Sequence, residues 1–469
     1  MLSLSDYITR YRDRHDLTLT FVGAQRLTYP DFFARVNGYL GWLNQDVPPG
    51  GIVLIDGVKT ANSVAAAVAC ILSGRGYSFL DVSLPKARKD QILTAIRPAL
   101  YFEAVEQGLE PRRPTEGAPR SFAGSVVFTS GSTGHPKGVF SSYDALAHYV
   151  DSMLDCMGDE PQTWLSICPV HFDVFQLDVL VQLARGANIV FAGSSLLPQQ
   201  YLNIIVDEGV TEVLYISTLL KMTVQMVDRL PPHRLRRIYF GGEGCSIPVL
   251  QQAMALFEGL PFCQFYGPTE NTNNTTCNHF DALRDSPTGF MPLGKPIKHV
   301  RIDVIGADGE VCAPGEVGEF VMSGPQLFSG YLDTMTGRFD AHLGAYHSND
   351  MGYRDEDGDL WFTGRQDDVV KVNGNRVSLI EINSRIQECV RDATVSTVVR
   401  DRAGFQSLVS GVHSPGPFDP DRIVAHLASC LPGYCVPSEI VRLPDDKVTR
   451  LSTGKTNYKL IKDYLNSHA

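Results

Sequence analysis

With 469 residues, 43% of them hydrophobic and 20% charged, the chain has the composition of a water-soluble globular protein. It is too long for one ordinary core, so two or three domains are expected. Its net charge of -11 argues against nucleic acid or an anionic membrane as a partner, since both reward basic surfaces; any phosphate site must be locally positive on an acidic body.

Residues Met1 to Asp16 are too polar for a signal peptide, and the longest apolar run, around Val64 to Leu72, is too short to cross a bilayer. A cytoplasmic protein is the expectation. In chain order, Leu27 to Phe32 begins a helix whose apolar positions include Phe33, Val36, Leu40 and Leu43. Gly51–Ile55 and Gly76–Asp81 read as buried strands either side of an Ala-rich helix from Asn62 to Leu72. The rhythm resumes with the strand runs Ser125–Phe128, Asn188–Phe191, Val213–Ile216 and Arg237–Phe240, which predicts an α/β fold of layered, largely parallel sheets. From about residue 294 short strands and turn signals such as Ala307-Asp308-Gly309 predict a small β-barrel subdomain reaching residue 365. The expected domains are therefore 1–365, a core, and 366–469, a small α+β unit with a helix over Glu381 to Val390. The ten cysteines contain no Cys-x-x-Cys pair and no metal-like grouping with His, so most are expected to be small buried side chains in a reducing compartment.

Directly after the Ser125–Phe128 run comes Thr129-Ser130-Gly131-Ser132-Thr133-Gly134-His135-Pro136-Lys137-Gly138. Glycines turn backbone N–H groups toward a ligand, hydroxyls add donors and the lysine adds charge, a combination suited to phosphate oxygens. It is not a Walker A loop, because Pro136 and Gly138 flank the lysine and no helix starts there. These ten residues resemble the signature loop of the adenylate-forming superfamily: adenylation domains of nonribosomal peptide synthetases, acyl- and aryl-CoA ligases, and luciferases. The likeness recurs in order along almost the whole chain.

Tyr266-Gly267-Pro268-Thr269-Glu270-Asn271 is similar to that family's Tyr-Gly-x-Thr-Glu motif. The resemblance implies that Tyr266 stacks on adenine, that Thr269 binds the α-phosphate, and that Glu270 holds Mg²⁺, a hard cation that prefers carboxylate oxygen. Gly241-Gly242-Glu243 matches a Gly-Glu pair under the adenine; a tight turn with a solvated Glu is the alternative. Asp350 matches the acceptor of both ribose hydroxyls, although Ser348-Asn349 stands where Thr-Gly is usual, and Arg365 matches a second ribose contact. Asp367 falls at the family's hinge, and Lys371, Gly374 and Arg376 match the segment that turns inward for thiol transfer. Lys455, in Leu451-Ser452-Thr453-Gly454-Lys455, is the expected catalytic cation, joined by Thr269 and Lys137. ATP and Mg²⁺ are the implied substrate and cofactor.

Phe172-Asp173 separates the branches of the superfamily, because amino-acid-activating domains pair an Asp here with the substrate ammonium. An N-capping Asp for the following helix is the other reading. Motif alignment places Val174, Leu177, Tyr215, Tyr239, Gly241, Phe265, Asn273 and Asn274 with Phe172 and Asp173 around the substrate. The adjacent asparagines and the aromatics point to a small or polar amino acid. Ser329, where Arg is usual, and Ile380, where Gly is usual, depart from the pattern. The chain ends fourteen residues beyond Lys455, too few for a carrier domain, so the partner is expected to be a separate phosphopantetheinylated carrier protein. An acid–CoA ligase and a non-catalytic nucleotide-binding homologue are the rival readings.

Overall fold

The computed structural model describes the chain apart from residues 107, 114–118, 131–135, 159, 161, 194–196, 246, 287–289, 366–368, 391–392, 403–404, 450–457 and 468–469, and gives backbone only at 130, 248, 364, 365, 369, 376, 378, 380, 384, 402, 458 and 459. Two large sheets dominate. The first has eight strands, in the order Phe339–Ala341, Gly330–Asp333, Pro136–Ser142, Gly124–Ser130, Gly76–Leu80, Ile52–Asp56, Leu100–Val105 and Gly108–Arg112. The second has nine, in the order Lys295–Pro296, Thr276–Phe280, Phe262–Tyr266, Arg237–Gly241, Glu212–Ile216, Thr163–Ser166, Asn188–Phe191, Thr18–Phe21 and Gln25–Thr28. Its middle run, from Phe262–Tyr266 to Thr18–Phe21, is parallel throughout.

Helices fill the space between these sheets, and the sequence explains where they start. Thr60 accepts from the Ser63 N–H and opens Ala61–Leu72, and Ser142 caps Tyr143–Met157 in the same way. Ala61–Leu72 is apolar on nearly every side because it is buried on nearly every side: Val64 to Cys70 all lie in the main core with Val53 and Phe102 of one sheet and Trp164 and Ile189 of the other. The opposite face of the nine-stranded sheet builds a second core from Val213, Tyr215, Ile238, Phe240 and Phe262.

The β-rich part takes the form of a four-stranded antiparallel sheet, ordered Arg301–Ile305, Gly318–Ser323, Tyr346–Arg354 and Leu360–Arg365. Strands from the same stretch complete the two large sheets instead: Gly330–Asp333 and Phe339–Ala341 join one, and Lys295–Pro296 the other. After it come the hairpin Val369–Val372/Asn375–Ser378 and a three-stranded sheet, packed with helices Leu379–Cys389 and Pro420–Cys430 around a core of their own that includes Val377, Ile382, Ile386, Leu408, Val412 and Leu427. No helix among the described residues is long and apolar enough to cross a membrane.

Candidate active site

The carboxyl ends of Glu212–Ile216, Arg237–Gly241 and Phe262–Tyr266 lie side by side, in the register Ile216–Gly241–Phe265, so the chain leaves the sheet there in three adjacent turns. Ligands of open α/β sheets lie outside such strand ends. In the eight-stranded sheet, Gly124–Ser130 and Pro136–Ser142 form an antiparallel hairpin with Thr129 opposite Lys137, and the phosphate-type loop is its tip. Gly131, Ser132, Thr133 and Gly134 lie outside the described residues, as does the side chain of Ser130.

After Tyr266 the chain turns at Gly267, where a Cβ would overlap the Asn273 carbonyl, so only glycine fits. A single 3₁₀ turn, Thr269–Asn271, then directs Thr269 and Glu270 to different partners. The Thr269 hydroxyl donates to the Asp173 carboxylate at 2.6 Å. Asn273 Nδ2 donates to the Asp173 carbonyl at 3.2 Å, with Asn273 itself at a φ of 80°. The Asp173 carboxylate is therefore turned toward the Thr269 loop. The helix that follows starts as a π-turn at Gln176 with no side-chain cap, which removes the N-cap reading of Asp173.

Glu270 is buried, and the Tyr331 hydroxyl donates to its Oε1 at 2.9 Å. Tyr331 reaches it because Gly330–Asp333 pairs with the lysine strand, and the Lys137 ammonium lies over the Tyr331 ring, 5.3 Å from its centroid. A buried carboxylate, a phenol and an ammonium thus form one connected group. The Tyr266 hydroxyl donates to Asp350 Oδ2 at 2.6 Å, which joins the expected adenine and ribose contacts. Asp350 is opposite Arg365 in the antiparallel pair, and the Arg365 side chain is outside the described set. The unusual Ser348-Asn349 step keeps its loop in order. Ser348 Oγ accepts from the Asp350 N–H and donates to the Phe320 carbonyl, and Asn349 takes a left-handed φ of 57°, which asparagine tolerates better than most residues.

Glu243 lies differently from the expectation. Its carboxylate accepts from the Thr218 N–H at 2.9 Å, from the Thr218 hydroxyl, and from the Gly374 N–H at 3.0 Å. It is a joint between the strand-end turns and the C-terminal hairpin rather than a group left for a base. Gly242, at a φ of 87°, and Gly374, at 82°, both turn against Ile216. The stretch Lys371–Arg376 therefore faces the core, while Asp367 and Lys455 are outside the described residues.

Two readings of the substrate lining need correction. Tyr215 points to the second core, with Phe257 6.0 Å from its ring, and away from the face shared by Leu214, Tyr239 and Phe265. A strand alternates faces, so Leu214, not Tyr215, stands on the same side as Tyr239. The asparagine pair is occupied by the scaffold: Asn273 holds the Asp173 carbonyl, and Asn274 Nδ2 donates to the Tyr149 hydroxyl at 3.2 Å. A polar substrate no longer follows from that pair. Tyr239 and Phe265 stack at 5.2 Å, Leu177 is fully buried beside them, and Val174 packs at the edge of the same core, leaving Phe172 half-buried against His171. Beneath them Asp178 accepts from Trp164 and Ser166 at 2.8 and 2.7 Å, and burial pushes its carboxyl up to about 6.

A family model described as AMP-binding enzyme matches residues 110–332, a stretch that contains the Thr129–Gly138 loop, Asp173 and the Tyr266–Glu270 turn. That stretch is an AMP-binding domain. It is 29% identical over 94% of its length to surfactin synthase subunit 3 of Bacillus subtilis, but spans 37% of that protein. It is also 29% identical over 94% of its length to the dapdiamide synthesis protein DdaD of Enterobacter agglomerans, of which it spans 78%. The fold matches holo-PA1221, a nonribosomal peptide synthetase protein containing adenylation and PCP domains, with a TM-score of 0.79 at 23% identity, over 98% of this chain and 83% of that one. The likeness of fold extends over 98% of this chain, from the first sheet into the C-terminal unit.

Proposed function

We propose that this chain uses ATP to convert a small amino acid into aminoacyl-AMP and passes the acyl group to the phosphopantetheine thiol of a carrier protein. The observation that carries the reading is the 2.6 Å contact between Asp173 and Thr269. An aminoacyl-AMP needs its ammonium and its α-phosphate recognised close together, and this pair sets an anion for the first beside a hydroxyl for the second. A simple carboxylic acid brings no charge to offset Asp173, and a partly buried carboxylate facing an apolar substrate is costly. Selection for a small side chain is supported by the stacked Tyr239 and Phe265, which fill the floor below.

The remaining residues have roles that follow from their placement. Tyr266 and Asp350 suit adenine and ribose, the phenol orienting the carboxylate that meets the diol. Glu270 fits Mg²⁺: a carboxylate is the donor a hard cation prefers, and its burial beside the Tyr331 hydroxyl favours a positive partner. The metal, when bound, would offset the charge of the ATP phosphates. Lys137, at the base of the loop hairpin, adds charge to the same side, and Lys455 is proposed to reach the acid oxygen and the α-phosphate. Displacement at phosphorus needs alignment and charge balance more than new covalent chemistry, so these placements supply what the step requires. We place the unit boundary at 365/366, with the C-terminal unit turning about Asp367.

The test is ATP–pyrophosphate exchange with amino acids and with the same acids lacking the amino group. Asp173→Ala should lower kcat/KM for the amino acid by roughly 10²- to 10³-fold, the loss expected for one partner of a desolvated ion pair, and leave the des-amino acid unaffected or improved. Equal losses for both would refute the ammonium-anchor role. Thioester formation on a phosphopantetheinylated carrier, set against coenzyme A, tests the acceptor.

A further inference from the structure

Three cysteines and a histidine, one of the cysteines more than a hundred residues from the rest, meet near the edge of the nine-stranded sheet. The pairing of Phe262–Tyr266 with Thr276–Phe280 sets Cys263 opposite His279, and Cys277 two residues before His279 on the same face. The last turn of helix Tyr143–Met157 brings Cys156 to that point. His279 Nε2 lies 3.2 Å from Cys277 Sγ, 3.7 Å from Cys156 Sγ and 3.9 Å from Cys263 Sγ, and the Cys263 and Cys277 sulfurs are 3.2 Å apart. The Cys156 and Cys277 sulfurs are in disulfide contact, with their Cα atoms 7.0 Å apart, wider than most disulfides span. This grouping overturns the expectation that no cysteines gather with histidine.

We propose that Cys156, Cys263, Cys277 and His279 form a zinc site that fastens the end of helix Tyr143–Met157 to the strand leading to Tyr266. Three thiolates and one imidazole make a donor set typical of structural zinc, with Zn–S near 2.3 Å and Zn–N near 2.0–2.1 Å. A tetrahedron of those lengths has S···S edges of about 3.8 Å and S···N edges of about 3.5 Å. The contacts to His279 lie within about 0.4 Å of that, so they need only side-chain rotation; the Cys156–Cys277 pair must be reduced by an external dithiol, itself oxidised to a disulfide, and move apart, and Cys263, which lies outside the 4.8 Å grouping of Cys156, Cys277 and His279, must rotate toward Cys156. Nε2 also lies 3.1 Å from the Cys156 carbonyl and would exchange that contact for the metal. Metal uptake releases the thiol protons and leaves a net charge of -1 on the centre. Arg237 lines the same surface cavity, of about 530 Å³, as Cys156 and His279, and supplies the offsetting cation.

The test uses the full chain purified under reducing conditions and titrated with zinc chloride and, separately, with cobalt chloride. One equivalent of Co²⁺ should give a thiolate charge-transfer band and tetrahedral visible bands that Zn²⁺ abolishes, and bound Zn²⁺ should shield Cys156 and Cys277 from alkylation. Cys277→Ser and His279→Ala should each weaken binding at least a hundredfold, whereas Cys312→Ser should not. The wild-type shielding pattern decides the matter even where a variant fails to fold. Failure of the reduced chain to bind one equivalent, bands indifferent to Cys277→Ser and His279→Ala, or a Cys156–Cys277 disulfide that persists through reduction of the native chain would overturn the proposal.

Discussion

Arg88→Met tests how the C-terminal unit is held against the rest of the molecule. Arg88, on helix Lys86–Ile96, pairs with Glu381, on helix Leu379–Cys389, with side chains only 4% and 3% exposed. The Glu381 carboxyl is raised above its ordinary value: burial is the largest cause and outweighs the attraction of Arg88 and Arg385. Desolvation thus exceeds what pairing returns, the usual balance for a buried ion pair. Removing Arg88 leaves an uncompensated carboxylate at a cost of about 3–5 kcal/mol. The two residues lie on either side of the proposed unit boundary, so undocking relieves the cost, and the docking equilibrium should shift by roughly 10²- to 10⁴-fold. Hydrogen–deuterium exchange on the full chain reads this. Peptides covering 86–96 and 379–389 should lose protection together, and those covering 262–266 should keep theirs. The double variant Arg88→Met/Glu381→Leu removes both charges and should restore most of the protection. The sign of the pH effect is also set. A raised carboxyl pKa means that the docked state binds the proton more tightly, so the penalty is present above that pKa and is relieved as pH falls through it. Unchanged exchange in Arg88→Met, or a double variant as exposed as the single, would refute this account of the joint.

Lys455→Ala should abolish adenylate formation and leave the thermal transition in place; pyrophosphate exchange close to wild type would remove the catalytic role. Tyr215→Phe should leave the amino-acid preference unchanged, since that ring faces the second core; a changed preference in a substrate screen would contradict the face assignment. Asp178, raised to about 6 against 3.8 for a free carboxyl, costs the fold about 3 kcal/mol above that pH, and the cost fades as pH falls from 6 toward 4 because the native state takes up the proton first. Denaturation at about pH 7.5 and 4.5 should therefore show wild type gaining on Asp178→Asn by up to that amount, and a pH-independent difference would count against it.

What could be read from the chain, and what could not, follows from how each residue earns its place. Strands such as Ile52–Asp56 are buried on both faces, so they stand out as unbroken apolar runs between helices. That same property hides the orientation of Val213-Leu214-Tyr215-Ile216: with both faces apolar, alternation carries no sign of which side meets the substrate, and Tyr215 faces the second core while Leu214 faces the main one. Short-range patterns marked Tyr266, Thr269 and Glu270, because the turn that aims them is local. Tyr331, whose hydroxyl holds Glu270, carried no such mark; it arrives by pairing with a strand nearly 200 residues earlier. The asparagine pair misled for the same reason, since Tyr149 and the Asp173 carbonyl lie over a hundred residues away or close to it.

The departures from the family pattern are more informative than the matches. Ser348 and Asn349 change the residue names beside Asp350 and preserve what the loop needs, a hydroxyl to fix the Asp350 N–H and a backbone that accepts positive φ. Geometry is retained where identity is not, so those substitutions carry no argument against nucleotide binding. Glu243 points the other way: its residue name fits the pattern, yet its carboxylate is shared between Thr218 and Gly374. The turn beside the proposed nucleotide and the C-terminal hairpin are consequently not independent. The swing of the C-terminal unit proposed above would release Gly374 from Glu243 Oε2 and Glu381 from Arg88 in the same motion, while Oε1 stays with Thr218. Under that proposal the two joints would couple docking to the electrostatic surface beside Tyr266 in a single event.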